Sequence, residues 1–396
     1  MTYHKIERSR AKHPSNPRTK KLPEDHQVLR LLIDESERGA DMFYATGFRA
    51  PDPFIYFQYQ GKRTIVLSDL EIDRGRREAH VEEVLSWSDL QEKITSSSSL
   101  TYEQTLIALL KQVGASHLLL PASFSLGLAR VLEEAGFFLL IQNGPFFPQR
   151  AVKKPQEIKA LSRAIDITET GMKRAVEILT RSNIGKKNQL LWGGRKLTAE
   201  LLRQEVEIAM YQAGGIPAGD SIIAAGEQAC DPHERGHGPL YAHELIIIDL
   251  FPRDSKSGYY GDLTRTLVRG KATPAQQHLW QTCLEGQELA LKKIKPSASG
   301  KIIERSVKDF FTRAGYPTEK KKGRWSGFFH GLGHGLGLEL HEGPRFGDAI
   351  LRPGHVFTME PGLYIPGLGG VRHEDVLLVT AEGYRLLSHD SKVLEI

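Results

Sequence analysis

The sequence has too few cysteines for a disulfide framework. Of its 396 residues only two are cysteine, Cys230 and Cys283, whereas proteins that depend on disulfides carry several pairs. The first residues, MTYHKIERSRAKHP, are polar and basic and lack the apolar core of a signal peptide. No apolar run approaches the roughly 18 residues that a membrane span needs. We therefore expect a soluble protein of the reducing cytoplasm that does not enter a membrane.

The chain also lacks a basic surface typical of nucleic-acid binding. Lysine and arginine number 53 against 48 acidic residues, a net charge of 53 − 48 = +5. Much of the excess lies near the N-terminus and at residues 320–322. Because no basic stripe with interleaved aromatic residues accompanies it, we interpret this charge as solvated surface and expect no nucleic-acid partner.

Length and element order predict two domains, since 396 residues are many for one core. The polar residues 1–25 are predicted to form a loosely held tail. After them, strand-like segments such as FIYFQYQ and RTIVLSDL alternate with helix-like ones, LRLLIDESERG and residues 102–113 and 125–135. This alternation is typical of an α/β domain. We assign residues 1–150 to this first domain and residues 151–396 to a second.

The second domain has an element order that repeats. Two helices and then strands are predicted twice, with helices at 155–181 and 198–213 before strands at 220–268, and helices at 274–293 and 299–314 before strands at 325–388. Pro155 and Pro274 each stand where a helix begins, a position that tolerates proline. The pattern predicts a duplicated α+β domain whose sheet is covered by helices on one face.

Two aspartates stand out in the segment LIIIDLFPRDSKSGYYGDLTRT, residues 245–266. The pattern predicts a hairpin with Asp249 on one strand and Asp262 on the other. Two acids buried side by side need a positive charge between them, because an uncompensated buried charge costs several kcal/mol. A metal ion is the simplest source of that charge.

Three further candidate ligands lie downstream: His334 in HGLGHGLGLELHEGP, Glu360 in TMEPGLY and Glu374 in VRHEDVLLV. The two glutamates flank a turn at residues 366–370, which predicts a second hairpin equivalent to the first. Four carboxylates and one imidazole suit two bridged divalent ions, with Mn, Co, Fe or Zn favoured over Ca.

Two other motifs are not expected to carry chemistry of their own. His233 and His237 form an H-E-x-x-H pattern, which binds zinc only on a helix. Gly236, Gly238 and Pro239 make a helix there unfavourable. The glycine-rich HGLGHGLG lacks the spacing of a dinucleotide loop, and its glycines are predicted to let the backbone pass close to a ligand or a neighbouring strand.

Residues 155–396 resemble the metallopeptidase family with the pita-bread fold, which includes aminopeptidase P, prolidase and methionine aminopeptidase. The motifs YYGDLTRT, HGLGHGLGLELHEGP, MEPGLY and VRHED occur in the family order. The N-terminal domain is similar in size to the one that aminopeptidase P, prolidase and creatinase carry. The resemblance implies an α/β N-terminal domain followed by a duplicated α+β pita-bread catalytic domain.

The same resemblance implies a role for each site residue. The dinuclear metal ligands would be Asp249, Asp262, His334, Glu360 and Glu374. His233 would stabilise the transition state, with His237 as the alternative for that role, and His341 would contact the substrate near the scissile bond. Tyr364 and Arg372 would bind substrate, as in the proline-specific members, and Arg372 would also be a catalytic residue.

The implied activity is hydrolysis of the Xaa-Pro bond at peptide N-termini by two metal ions, Mn first among the candidates, in a homodimer. Glu360 would act as general base toward the attacking water. The alternatives are a prolidase that cleaves Xaa-Pro dipeptides, a non-catalytic binding module on the same fold, and a metal-free creatinase-like hydrolase. One departure from the family concerns the hairpin tip, where Leu250-Phe251-Pro252 predicts a longer loop with the ligands kept.

Overall fold

A computed structural model describes residues 27–94, 100–219 and 221–396, so the predicted tail at residues 1–25 lies outside the described residues. The chain divides into two compact units, the first ending at Phe146 and the second running from Phe147 to Ile396. Among the helices of the described ranges, none combines the length and apolar character required to cross a membrane.

The first unit is built on one six-stranded mixed sheet. Its strands are β1 (Val28–Asp34), β2 (Phe54–Tyr59), β3 (Lys62–Leu67), β4 (Glu83–Ser86), β5 (His117–Pro121) and β6 (Phe138–Gln142). Its helices are α1 (Ala40–Thr46), α2 (Ile72–Glu78), α3 (Trp87–Ile94), α4 (Tyr102–Gln112) and α5 (Leu126–Glu134). The strands lie in the order β4-β3-β2-β1-β5-β6, and the apolar core includes the fully buried Leu29, Leu106 and Leu118.

The prediction of a helix in LRLLIDESERG is wrong, because this segment forms β1. The strand lies inside the sheet, antiparallel to β2 and parallel to β5. A strand buried on both faces has a nearly continuous apolar sequence, which periodicity alone does not separate from a buried helix. The contacts of Leu29 and Leu31 within the sheet therefore decide the conformation.

Four long helices dominate the second unit. They are α6 (Pro155–Arg181), α7 (Ala199–Gln212), α8 (Pro274–Leu291) and α9 (Gly300–Arg313). Pro155 and Pro274 lie in the first turns of α6 and α8, as predicted. At α8 the side chain of Thr273 accepts a hydrogen bond from Gln276 N in a capping box, which satisfies backbone groups that the helix leaves open.

The strands of the second unit form several small sheets. They are β7 (Asn183–Ile184), β8 (Leu190–Trp192), β9 (Arg195–Lys196), β10 (Gly215–Ile216), β11 (Ile222–Ala225), β12 (Ile246–Leu250), β13 (Arg253–Asp254), β14 (Leu263–Leu267), β15 (Glu319–Lys321), β16 (Arg324–Ser326), β17 (Val356–Met359), β18 (Gly362–Ile365), β19 (Gly369–Arg372), β20 (Asp375–Val379) and β21 (Tyr384–Leu386). The sheets that position the candidate site have the orders β11-β12-β14, β17-β20-β21 and β18-β19.

The first predicted hairpin exists, with β12 and β14 antiparallel and Asp249 opposite Thr264. Asp249 lies on β12, but Asp262 directly precedes β14 rather than lying on it. The tip between them contains β13, which pairs with β10. This pairing gives the tip a strand of its own.

The second predicted hairpin forms as two antiparallel pairs, β18 with β19 and β17 with β20, and its glutamates lie in the irregular residues between these pairs. Glu360 falls between β17 and β18, and Glu374 falls between β19 and β20. Pro361 has no N–H to continue the ladder. The N–H groups of Glu360 and Glu374 instead donate to Leu332 O and Thr264 O, at 2.9 and 3.1 Å.

Two apolar cores support these sheets. One core packs α6 and α7 against β12 and β14, with Met172, Leu202 and Ile248 fully buried. The other packs α8 and α9 against β17 and β20, with Val307 and Phe357 fully buried. Each core supports strands that lead to one pair of the predicted acidic ligands.

Candidate metal centre

Three predicted ligands meet in one cluster. Single donor atoms of Asp262, His334 and Glu374 all lie within 4.8 Å of one another. A hydrogen bond joins two of their elements, because Thr264 Oγ1 on β14 donates to Glu374 Oε2 at 2.7 Å. This hydrogen bond joins β14 of the first hairpin to the residues between β19 and β20, directly beside the cluster.

Glu360 joins the cluster through the imidazole. His334 Nε2 lies 3.4 Å from Glu360 Oε1 and 3.5 Å from Asp262 Oδ2. Thr358 orients both neighbours, since its hydroxyl donates to Glu360 Oε1 at 3.2 Å and accepts from His334 N at 3.1 Å.

The fifth predicted ligand, Asp249, is held at one oxygen only. Its Oδ2 accepts from Arg372 Nη2 at 2.5 Å. Its Oδ1 is buried and has no hydrogen-bond partner among the described residues. A buried polar atom without a partner is costly, so Oδ1 is available to a ligand that the polypeptide does not supply.

The carboxylates of this cluster repel one another. Burial, followed by the charges of Glu374, Asp249 and Glu360, raises the pKa of Asp262 well above its usual value. Burial, followed by Glu360 and Asp249, raises the pKa of Glu374 in the same way. Burial raises the pKa of Glu360 to about 7, although Arg372 opposes the shift. One nearby guanidinium does not compensate the four acids.

The cluster fits divalent metal ions. Burial lowers the pKa of His334, which favours the neutral imidazole that binds metals. Carboxylates and an imidazole are the donor set of Mn, Fe, Co and Zn sites. Together with the unpartnered Oδ1 of Asp249, this set supplies what a cation centre needs, and the cationic side chain paired with it is Arg372, through Asp249.

The glycines of HGLGHGLG act as predicted, by allowing close backbone passage. A Cβ on Gly333 would collide with the carbonyl of Thr358 on β17, and one on Gly335 would collide with the carbonyl of Glu342. The loop that carries His334 therefore lies directly against its neighbours.

A chain of hydrogen bonds extends from Asp249 away from the cluster. Arg372 Nη1 donates to Tyr364 Oη at 3.0 Å, and Tyr364 Oη lies 2.8 Å from His330 Nε2. Tyr364 is fully buried, and burial, more than the nearby Arg372, lowers the pKa of His330 to about 3. Predicted substrate residues Tyr364 and Arg372 thus lie together beside the metal cluster.

Sequence reasoning missed His330, Thr264 and Thr358. His330 precedes His334 by four residues and has the same glycine-leucine-glycine spacing after it, a signal that could have found it. The two threonines stand two positions from a predicted ligand, after Asp262 and before Glu360. Each threonine contacts an acid of the cluster, Thr264 through Glu374 and Thr358 through Glu360.

Of the remaining predicted residues, His341 lies closest to the cluster. The ring of His341 is 4.4 Å from that of His334, at an interplanar angle of 80°. His233 is exposed and makes a smaller contribution, after burial and Arg372, to the low pKa of His330. His237 is exposed, and its backbone bonds to the side chain of Gln228. Residues 233–237 form no helix, so the predicted absence of a zincin helix is confirmed.

These features define a class of protein: a metal-dependent enzyme scaffold in which acids at or beside the ends of paired strands share a buried centre with one histidine. The chain belongs to metallopeptidase family M24, whose model matches residues 159–381, more than half of the sequence. The matched range contains every predicted site residue.

Curated relatives share about a third of their residues with this chain over part of its length. The Xaa-Pro dipeptidase of Pyrococcus horikoshii is 34% identical over 257 residues, which are 62% of this chain and 64% of the relative. An uncharacterised peptidase of Bacillus subtilis is 33% identical over 250 residues, 62% of this chain and 64% of the relative. These matches span less than two thirds of each relative's length.

Solved structures match almost the whole chain. The prolidase of Pyrococcus horikoshii superposes with a TM-score of 0.74 at 26% identity, covering 93% of this chain and 95% of that one. An X-Pro aminopeptidase from Thermotoga maritima superposes with a TM-score of 0.77 at 23% identity, covering 93% and 97%. The second likeness shows the fold alone.

Proposed function

We propose that this protein is a two-metal peptidase that hydrolyses the bond between an N-terminal residue and proline, as aminopeptidase P does. The observation that supports this most is the meeting of Asp262, His334 and Glu374 in one buried cluster, with Asp249 and Glu360 around it. A non-catalytic module has no need of such mutually repelling acids, which cost folding free energy when no cation is bound.

The metal ions would be held by Asp249, Asp262, His334, Glu360 and Glu374. When bound, two divalent ions lower the pKa of water and polarise the carbonyl of the scissile bond. Mn is the first candidate, with Co, Fe and Zn as alternatives. Glu360, oriented by the hydroxyl of Thr358, takes the proton of the attacking water.

The residues around the cluster bind and orient the peptide. Its N-terminal ammonium is attracted to the acidic cluster, which restricts cleavage to chain ends. His341, beside His334, contacts the substrate, and His233 donates a hydrogen bond to the developing oxyanion. Arg372 and Tyr364, locked together by a hydrogen bond of 3.0 Å, bind the prolyl side of the substrate.

A dipeptidase activity is the second candidate, because the Pyrococcus horikoshii relative at 34% identity is named an Xaa-Pro dipeptidase. The two activities share the site and differ in how much peptide follows the proline. As further parts of the proposal, the protein works as a homodimer in the cytoplasm, residues 1–150 form an accessory domain, and the catalytic domain is internally duplicated.

The test is hydrolysis by metal-stripped protein before and after addition of Mn²⁺, with an Xaa-Pro dipeptide and an Xaa-Pro-Yaa tripeptide in parallel. We expect no cleavage without metal and restored cleavage with it, faster for the tripeptide. Preference for the dipeptide would favour the prolidase activity. Two bound ions without cleavage of either peptide would contradict the Xaa-Pro specificity.

A further inference from the structure

Three charged side chains are buried together beside the loop that follows His334. Arg150, Lys153 and Glu342 are 4%, 6% and 5% exposed. Burial of charged groups is rare unless they are paired. All three belong to the second unit, and Glu342 directly follows His341. This group, Arg150, Lys153 and Glu342, is called the buried triad below.

The triad is fully connected. Arg150 Nη2 donates to Glu342 Oε2 at 2.6 Å and to Glu339 Oε2 at 2.7 Å. Lys153 Nζ donates to Glu342 Oε1 and also to Arg150 O at 2.6 Å. Each carboxylate oxygen of Glu342 is therefore paired with one cationic side chain. The two cationic residues also contact each other, through the hydrogen bond from Lys153 Nζ to Arg150 O.

The carboxylate of Glu342 also closes the loop itself. Its Oε2 accepts from Leu338 N at 2.9 Å, and Glu342 N donates to Gly335 O at 2.9 Å. The same carboxylate occupies the space that a Cβ on Gly337 would need. Residues 335–342 thus form a loop that is closed by the buried carboxylate of Glu342. Arg150 and Lys153 neutralise the charge of that carboxylate.

The two histidines at the ends of this loop are held differently. His334 is anchored independently, because its N–H donates to Thr358 Oγ1 and its carbonyl accepts from Thr358 N at 2.9 Å. Among the described residues, no hydrogen bond holds His341, whose ring contacts that of His334. The hydrogen bonds nearest to His341 are therefore those of its neighbour Glu342.

We propose that Arg150, Lys153 and Glu342 are positioning residues that hold His341 over the metal centre. The inference rests on the proposed function only in giving His341 a substrate to contact. Residues that orient a functional side chain from behind typically change activity or metal affinity about 10–100-fold when removed. Because Thr358 anchors His334, loss of the triad affects peptide turnover more than Mn²⁺ binding.

The first test needs no activity. Lys153→Met keeps the length of the side chain and removes its charge, and Lys159→Met on the exposed part of α6 is the matched control. We expect amide hydrogen exchange in residues 335–342 to rise about tenfold in Lys153→Met and to stay unchanged in the control. Unchanged exchange in that loop would overturn the proposal, as would an equal rise across the whole second unit.

The second test is a double-mutant cycle on Mn²⁺-loaded protein. Lys153→Met should lower kcat/KM for the tripeptide about tenfold in the natural background and about twofold or less in a His341→Ala background. Equal losses in both backgrounds would show a general structural role and would contradict the proposal. The Mn²⁺ affinity of Lys153→Met, measured by calorimetry, should differ from that of the natural protein by a smaller factor than kcat/KM does.

A partly exposed position keeps the test decisive if Lys153→Met does not fold. Glu339→Gln removes one partner of Arg150, and the Glu339 side chain is 55% exposed. We expect a loss of about threefold in kcat/KM that again disappears in His341→Ala, and persistence of the loss there would overturn the proposal. If the natural protein with Mn²⁺ cleaves neither peptide, the proposed function fails, and the exchange experiment still decides whether the triad holds the loop.

Discussion

Glu374 and Asp375 are neighbours on the chain and lie in opposite electrostatic surroundings. Burial, followed by Glu360 and Asp249, raises the pKa of Glu374. Burial also acts to raise the pKa of Asp375, but Arg265 and Lys392 outweigh it and hold that pKa below its usual value. One acid therefore lies among acids, and the next lies among cations.

The alternation of side chains explains how adjacent residues separate so completely. Thr264 hydrogen-bonds to Glu374 at 2.7 Å, whereas the next residue, Arg265, lies 2.9 Å from Asp375. Arg265 is 1% exposed and also contacts Asp390 at 3.2 Å. We call Arg265, Asp375, Asp390 and Lys392 the paired cluster.

Buried acids therefore fall into two kinds, those paired with cationic side chains of the protein and those that are not. The paired cluster carries its own cations and so needs nothing more to be stable. The acids around His334 lack such compensation within the described residues, apart from Arg372. A buried acidic group that the polypeptide leaves uncompensated indicates a cation from outside, and variants of the two clusters should therefore differ in their effects.

The largest effect is expected at the uncompensated acids. Asp262→Ala or Glu374→Ala should abolish metal binding and lower turnover roughly 10⁴-fold, because metal ions contribute several kcal/mol to the transition state. Metal analysis and peptide hydrolysis check this, with Glu382→Ala, an exposed acid, as the control. Retained turnover in either variant would remove the two-metal mechanism.

The paired cluster should respond in stability instead. Arg265→Met leaves Asp375 and Asp390 buried with less compensation, and we expect the free energy of unfolding to fall by about 3–5 kcal/mol. Urea denaturation of the metal-free protein measures it. Arg305→Met removes an arginine whose side chain is 84% exposed and should cost less than about 1 kcal/mol. Similar losses in both variants would contradict the comparison.

A smaller loss is expected at the rim of the same cluster. Lys392 Nζ lies 2.5 Å from Asp375 Oδ2, and its side chain is 20% exposed. Lys392→Met should lower the free energy of unfolding by about 1.5–3 kcal/mol, because Arg265 still pairs with Asp375. A loss as large as that of Arg265→Met would show that the two cations are equivalent.

The smallest expected effect is an increase, not a decrease, in the free energy of unfolding. In metal-free protein, Asp262→Asn removes one of several repelling charges, so the free energy of unfolding should rise by about 1 kcal/mol. The same urea measurement detects it, and excess Mn²⁺ should reverse the order of stabilities because only the natural site gains from binding. A destabilised metal-free variant would mean that Asp262 is already compensated.

Much of the candidate site could be predicted because its residues stand in short motifs. DLTRT, TMEPGLY and VRHED contain Asp262, Glu360 and Glu374. The prolines in the first turns of α6 and α8 mark where those helices begin. These signals are local in sequence. The roles assigned to single residues stay predictions until variants are measured.

The features that were missed depend on contacts distant in sequence. Arg150 meets Glu342 across 192 positions, and Arg265 meets Asp375 across 110. Neither pairing has a pattern that one sequence displays. The wrong prediction of a helix at β1 has the same origin. The periodicity of this segment is ambiguous, and its pairing with β2 and β5 in the sheet determines that it is a strand.

We propose that the uncompensated acids form a centre for two divalent ions. The most direct measurement is the number of Mn²⁺ ions bound per chain, determined by equilibrium dialysis of metal-stripped protein followed by elemental analysis. We expect two ions per chain for the natural protein and for Arg305→Met, and none for Glu374→Ala. No bound metal in the natural protein, or the same number in Glu374→Ala, would contradict the proposal.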